Sequence, residues 1–271
     1  MADNFSVLLS VYFKESPFYI VQCLDSIFRQ SLLPDEIVLV KDGVLPVELN
    51  DVITKHKQKY LNLKVISLPV NQGLGKALNE GLKHCSYDLV ARMDTDDIAK
   101  PERFEKQVKI FQKHPEVDVV GSWIDEFEGD ISHVISVRRL PECYEEILSF
   151  AKKRNPINHP VVMFRKKAVL AAGGYQHFPL FEDYYLWVRM LMNGAKFYNI
   201  QESLLYFRSS PDMFKRRGGL KYVGTEVRFQ IFLLRSHFIS FPRYVQNVII
   251  RVMTRIVPNR WRTFLYRKKL R

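Results

Sequence analysis

Short, nearly unbroken apolar runs alternate with segments whose apolar residues return every three or four positions, and this alternation organises the first half of the chain. "FSVLLSVYF" (Phe5 to Phe13) reads as a strand, and Pro17 then opens a helical pattern that sets Ile20, Leu24, Ile27 and Phe28 on one face. "EIVLVKDG" is a second strand, followed by a helix through Lys59, and "LKVISLP" is a third. A helix over "GLGKALNEGLKHC" leads into the strand "YDLVARMD"; Pro101 starts a helix ending near His114, and "VDVVGSWIDEF" returns to the sheet. Strands apolar on both faces, each followed by an amphipathic helix, predict an α/β fold: a Rossmann-like, mostly parallel sheet with helices on both faces.

The second half is less regular. A hairpin is expected around Gly129 and Asp130, a helix from Glu142, and loop, short strand, helix and turn across "NPINHPVVMFRKKAVLAAGGY". A helix over "FEDYYLWVRMLMNG", a strand over "KFYNIQESLLYF" and a long helical tail complete the reading.

With 47% hydrophobic and 13% aromatic residues, the 271-residue chain can bury a large core and is not a disordered sequence. Its net charge of +12 is unevenly placed. From Arg208 onward sixteen Lys or Arg face only Asp212 and Glu226, a balance of +14 that leaves −2 for the first 207 residues. In "PRYVQNVIIRVMTRIV", Arg243, Asn247, Arg251 and Arg255 recur every four residues, while Val245, Val248, Ile249, Val252, Met253 and Ile256 form the other face. Trp261, Phe264 and Tyr266 then lie among further cations. Such a basic amphipathic helix suits an anionic membrane surface; the alternative is that its apolar face packs on the body. A nucleic-acid-binding protein is the competing class, but no such motif occurs and the body is slightly acidic, so no nucleic-acid partner is expected.

Cys23, Cys85 and Cys143 are odd in number and widely spaced, which fits a reducing, cytoplasmic setting and neither a disulfide framework nor a zinc ribbon. The start, "MADNFSVLLSVYF", has an acid at Asp3 and too short an apolar run for a secretory signal, and no uninterrupted apolar run of about eighteen residues predicts a membrane span.

Asp94, Asp96 and Asp97 follow the fourth strand, where ligands bind in sheets of this kind. Asp94 and Asp96, two apart in extended backbone, can address one hard cation such as Mg²⁺ or Mn²⁺ with diphosphate oxygens, while Thr95 faces the other way. Asp97 reads as a helix cap or supporting residue, and capping alone is the competing account of the triplet. In "NQGLGKALNEG" neither a Walker A loop nor a dinucleotide fingerprint fits; Gly73 and Lys76 either meet an anion at a helix N-terminus or form a plain helix start. Asp42, in "VKDG", either meets a nucleoside beside Ser10, Val11 and Tyr12 or shapes the turn before Gly43. Glu182 and Asp183 open a helix whose apolar face is Leu186, Met190 and Trp187, and carboxylates there also favour the helix dipole. His159 is either a ligand or proton shuttle or a hydrogen-bonded structural residue; Arg216 and Arg217 either contact phosphate or form a solvated basic turn.

Taken together, "SVLLSVYFKESPFYIVQCLDSIFRQSL", "EIVLVKDG", "NQGLGKALNEGL", "VARMDTDD" and "FEDYYLWVRML" resemble glycosyltransferase family 2 of bacterial surface-polysaccharide clusters, over roughly residues 5 to 220. The resemblance implies a GT-A-type fold, a nucleotide-diphosphate-sugar donor, a Mn²⁺ or Mg²⁺ ion, inversion at the anomeric carbon and a lipid-linked or glycan acceptor. It implies that Ser10, Val11, Tyr12, Glu15, Asp42, Gly73, Lys76 and Thr95 line the donor site, that Asp94 and Asp96 hold the metal, and that Asp183 is the general base beside Glu182. His159, Trp187, Arg216 and Arg217 are the candidates toward acceptor or diphosphate. Tyr184 and Tyr185 depart from the family pattern, in which a small polar residue often follows the acidic pair. The expected division is a catalytic domain over 1–207, with a nucleotide-binding half to about 115 and an acceptor half from about 116, then a basic helical extension over 208–271. The expected location is the cytoplasmic face of the inner membrane, held peripherally by that extension. Sugar-phosphate nucleotidyl transfer is the second enzymatic reading, against which stands the lack of a glycine-rich, basic N-terminal signature.

Overall fold

The structure, a computed structural model, describes residues 4–209 and 220–256. Strands β1 (Phe5–Val11), β2 (Glu36–Lys41), β3 (Leu63–Ser67) and β4 (Leu89–Arg92) are parallel, in the spatial order β3-β2-β1-β4. Their side chains alternate between two buried layers, as period-two geometry requires. Val7, Leu9 and Val11 of β1 pack with α1 (Pro17–Phe28), α2 (Val47–Lys59) and α4 (Arg103–Lys113). Leu8, with Val38 and Val40 of β2, packs on the opposite face against α3 (Leu74–His84). There α3 lies so close that a Cβ on Gly81 would stand 2.3 Å from Leu8 Cδ1, so only glycine fits.

The sheet continues with strands whose direction no apolar pattern encodes. Strand β8 (Met163–Arg165) runs antiparallel between β4 and β6 (Val117–Phe127), and β6 is parallel to β9 (Lys196–Arg208). The hairpin expected near Gly129 joins β6 to β7 (Val134–Arg138). Strand β5 (Ile98–Ala99), too short to show a period, pairs antiparallel with β9 and completes the order β3-β2-β1-β4-β8-β6-β9-β5. The division expected after residue 207 thus falls inside β9.

Helices α5 (Tyr144–Ala151) and α6 (Lys166–Ala171) flank this half, and α7 (Glu182–Met192) buries Leu186, Trp187 and Met190 toward the sheet. The other side of α7, with Tyr184 and Val188, joins Phe181 in a cluster with Tyr222, Phe229 and Leu233 of α8 (Leu220–Arg235). Phe229 sits 4.6 Å from the Tyr184 ring and 5.1 Å from Phe181, centroid to centroid. Among the described residues the tail is therefore two helices, divided near His237 at φ 56°, the second being α9 (Phe241–Ile256).

Helix α9 meets the body through its polar side. Asn247 Nδ2 donates to the Lys152 carbonyl (2.9 Å) and to Gln230 Oε1 (2.9 Å), and Arg251 donates to the Lys153 carbonyl (2.6 Å). Of the two sequence accounts, a helix on an anionic membrane surface or an apolar face packed on the body, the structure does not show the packed one: Val245, Ile249 and Met253 are exposed. Among the described residues no helix is long and apolar enough to cross a membrane.

Candidate active site

Beyond Arg92 the chain leaves the sheet, and one carboxylate oxygen from each of Asp94, Asp96 and Asp97 gathers within 4.8 Å of the others. Thr95 points away, as expected, and its hydroxyl donates to Glu15 Oε2 (2.7 Å). Glu15 also accepts the Ser16 N–H (2.7 Å), so here it braces the aspartate turn. Asp97 is not a helix cap, because the next helix begins at Arg103 with Glu102 before it: Asp97 is fully buried, its Oδ1 accepts the Arg208 N–H (2.9 Å), and its Oδ2 has no partner among the described residues.

Two arginines flank the cluster. Arg92, buried at the end of β4, pairs with Asp94 through Nη2, while its Nε and Nη1 have no partner among the described residues. Burial disfavours its charge, but Asp94 holds the guanidinium above its ordinary pKa. Arg208 stacks on Tyr19 (3.9 Å) and Phe127 (4.6 Å), donates from Nε to the Asp96 carbonyl (2.9 Å) and reaches Gln22 Oε1 (2.7 Å). Burial, then Asp94 and Glu15, push the Asp96 carboxyl up to about 7; burial, then Asp96 and Asp94, push Asp97 well above the carboxylate range. Converging hard oxygens, one of them unpartnered and deep, fit a Mg²⁺ or Mn²⁺ ion.

The facing wall is the start of α7. Asn155 Nδ2 donates to Asp183 Oδ2 (2.7 Å), and Glu182 is half-buried, its carboxyl raised by that burial. Tyr175 links this wall to the aspartates. Its hydroxyl, raised by burial against the pull of Arg92, also feels the charges of Asp183 and Asp94. Its backbone is locked to α3, with its N–H donating to Asn79 Oδ1 (2.8 Å) and its carbonyl accepting from Asn79 Nδ2 (2.6 Å). A Cβ on Gly75 would lie 3.5 Å from Tyr175 Cβ and 3.7 Å from Glu182 Cγ. Tyr175 thus neighbours α3, the start of α7 and, electrostatically, the aspartate cluster.

At the β1 and β2 ends, Asp42 is only 3% exposed, and its carboxylate accepts the N–H groups of Gln72 (2.7 Å) and Gly73 (3.0 Å). It therefore secures the loop into α3, where Gly73 takes φ +88°. Val11 is buried and its carbonyl accepts the Asp42 N–H (2.8 Å). The Ser10 carbonyl lies 3.5 Å from the Thr95 hydroxyl; Tyr12 is exposed against Phe13, and Lys76 is exposed on the first turn of α3.

The acceptor candidates fare differently. Trp187 is 0% exposed, packed edge-on to His159 and Phe197, so its aromatic bulk serves the core and it cannot meet an acceptor. His159 lies 2.9 Å from the Tyr175 hydroxyl, and burial, then Arg92, hold its pKa well below the ordinary value. A neutral, hydrogen-bonded histidine is the structural alternative, not a shuttle poised near neutrality. Arg216 and Arg217 lie outside the described residues. Sequence reasoning passed over Arg92, Asn155, Tyr175 and Arg208; the one signal available was a charge ending an apolar strand, since buried charges need partners.

Comparison with known proteins places this architecture among the glycosyltransferases. The profile of glycosyl transferase family 2 matches residues 6–173, and the chain belongs to that family. It is 39% identical over 274 aligned positions to a UDP-Gal:alpha-D-GlcNAc-diphosphoundecaprenol beta-1,3-galactosyltransferase of Escherichia coli, covering 100% of this chain and 99% of the relative. It is 43% identical to the amylovoran biosynthesis glycosyltransferase AmsE of Erwinia amylovora, covering 97% and 98%. The S. aureus TarS 1–349 structure in complex with UDP-GlcNAc superposes with a TM-score of 0.67 at 18% identity, over 92% of this chain and 71% of that one. The likeness shows the fold, which is GT-A-type.

Proposed function

We propose that the protein is an inverting glycosyltransferase that moves a hexosyl or N-acetylhexosaminyl group from a UDP-sugar to a hydroxyl of a lipid-linked glycan during surface-polysaccharide assembly, at the cytoplasmic face of the inner membrane. The observation that carries this reading is the convergence of the Asp94, Asp96 and Asp97 oxygens within 4.8 Å beyond β4, where a cation with the donor diphosphate would sit, in a chain of glycosyl transferase family 2. The UDP-galactose donor and lipid diphosphate acceptor named for the E. coli relative, matched along its whole length, support the substrate classes.

In this reading Asp94 and Asp96, with Asp97 beneath, would hold Mn²⁺ or Mg²⁺, which supplies Lewis-acid neutralisation of the departing diphosphate. Ser10, Val11, Tyr12, Glu15 and the loop held by Asp42 surround the nucleoside. Gly73, its own N–H held by Asp42, leaves the α3 N-terminus open to the diphosphate, and Lys76 offers a cation there. Asp183 takes the acceptor proton as that oxygen attacks the anomeric carbon; the Asn155 amide holds Oδ2, leaving Oδ1 as the accepting oxygen. Glu182 contacts the acceptor or orients the base.

The test is transfer from a panel of UDP-sugars, UDP-galactose first, to an N-acetylglucosaminyl diphospho-lipid analogue with Mn²⁺, with the product linkage read by NMR. A β-linked product from the α-linked donor is expected. A retained configuration would overturn single displacement, and no transfer from any UDP-sugar would overturn the donor class.

A further inference from the structure

Helix α9 is folded inside out. Asn247 is buried and, with Arg251, is tied to carbonyls of the 152–153 turn, while Tyr244 and Val248 are half-covered on the same side. The opposite side carries Phe241 (66% exposed), Val245, Ile249 (58%), Ile250 and Met253 (63%), with Pro242 and Gln246 between them. Phe241, Val245, Ile249 and Met253 are each four residues apart, so they form one row along the helix. A contiguous apolar face of this kind, on an element fixed by its polar side, marks an interaction surface.

We infer that this outward row is the docking surface for an anionic lipid bilayer. The charge that follows it selects the occupant. From residue 257 to the end the sequence carries Arg260, Arg262, Arg267, Lys268, Lys269 and Arg271 and no acid, interleaved with Trp261, Phe264 and Tyr266. Anionic headgroups complement that run, with apolar insertion and cation attraction acting together. A second copy of the chain would bring a like charge of +12 against it. Because Asn247 and Arg251 anchor α9 to the body, lipid contact through the outer row holds the catalytic domain in one orientation. A bilayer in that position brings a lipid-borne acceptor to a fixed distance, so the inference rests on the proposed lipid-linked acceptor.

The experiment uses the full chain and its Ile249→Glu/Met253→Glu variant. Both positions are exposed, so the fold tolerates the change, which circular dichroism and thermal melting verify. Sedimentation with vesicles of phosphatidylethanolamine and phosphatidylglycerol should pellet the parent protein, and the variant's bound fraction should fall on the order of tenfold or more as two inserted side chains are lost. Pure phosphatidylcholine vesicles should pellet neither. Equal pelleting of the two proteins, or none by the parent, would overturn the inference, as would a parent dimer that the variant converts to monomer by sedimentation velocity. Transfer to a short-chain, water-soluble acceptor analogue is measured in parallel. Its retention in the variant shows the reaction intact whatever the vesicles report, and its absence in both proteins indicts the acceptor reading alone.

Discussion

Replacing Asp183 with asparagine tests the base with almost no change of shape. The Asn155 amide donates 2.7 Å to Asp183 Oδ2, and an asparagine can present its carbonyl oxygen to the same donor. That choice directs the new NH₂ group toward the acceptor, where it cannot accept a proton. A positioned general base contributes typically 10²–10⁴-fold in rate, or about 3–5 kcal/mol of barrier. The structural cost is small: a carboxylate in the first turn of α7 favours the helix dipole by about 0.3–1 kcal/mol. Initial transfer rates at saturating donor and acceptor should therefore fall about 10²–10⁴-fold. Calorimetric donor binding with Mn²⁺ should stay within about threefold, equivalent to under about 0.7 kcal/mol, and the melting temperature should shift by only a few degrees. A turnover number within about threefold of the parent would refute the base assignment, and a loss of donor affinity matching the loss of rate would make Asp183 a donor-binding residue.

Asp96→Ala should abolish Mn²⁺-enhanced donor binding in calorimetry, and chelation with EDTA should stop transfer until Mn²⁺ is restored. Because the folded protein raises the Asp96 carboxyl to about 7, that group loses stability for the metal-free fold as pH climbs from its ordinary value through 7; Asp96→Ala should melt higher than the parent at pH 8 in EDTA and lose that advantage near pH 4. His159 has the opposite sign, since its depressed pKa leaves stability intact above the ordinary value of about 6.5 and erodes it as pH falls below that. His159→Gln should thus show a shallower fall in melting temperature between pH 7 and 5 than the parent, and an unchanged slope would show that the ring is solvated. Phe229→Ala, which removes a fully buried ring stacked among Phe181 and Tyr184, should cost about 3–5 kcal/mol in urea unfolding; a loss below about 1 kcal/mol would mean that α8 is not docked on α7.

The parallel half was legible because burial on both faces writes itself into composition: Val7, Leu8 and Leu9 are all apolar although successive residues face opposite layers. The acidic strand end followed from the same reading, since it needs only the place where the apolar run stops. Two kinds of information were not available. Strand direction was one: Met163 and Phe164 look equally apolar in either orientation, and β8 runs antiparallel. Long-range pairing was the other, as Asn155 meets Asp183 and Arg208 meets Asp97 through hydrogen bonds between segments that no local period connects. Trp187 had two readings, an apolar face with Leu186 and Met190 or a contact toward the acceptor near Asp183, and it lies on the sheet-facing side with Leu186 and Met190.

The arginines explain how a slightly acidic body keeps three aspartates together before any cation arrives. Arg92 lies beneath Asp94 and is itself buried, so its charge acts in a medium of low polarisability and is not dissipated by water. Yet among the described residues two of its nitrogens are unpartnered, and Asp97 Oδ2 is unpartnered as well. Arg208 does not neutralise the set fully, because its side chain is spent on the Asp96 carbonyl and on Gln22 and only its backbone N–H reaches a carboxylate. The cluster is therefore held in place by geometry; burial first, and then the neighbouring carboxylates, raise Asp96 and Asp97. Full compensation by another arginine would remove the driving force for binding a divalent ion, and no compensation would splay the carboxylates apart. Among the described residues, Arg92 paired with Asp94 and the buried Arg103 within electrostatic reach of Asp97 set the cluster between those limits.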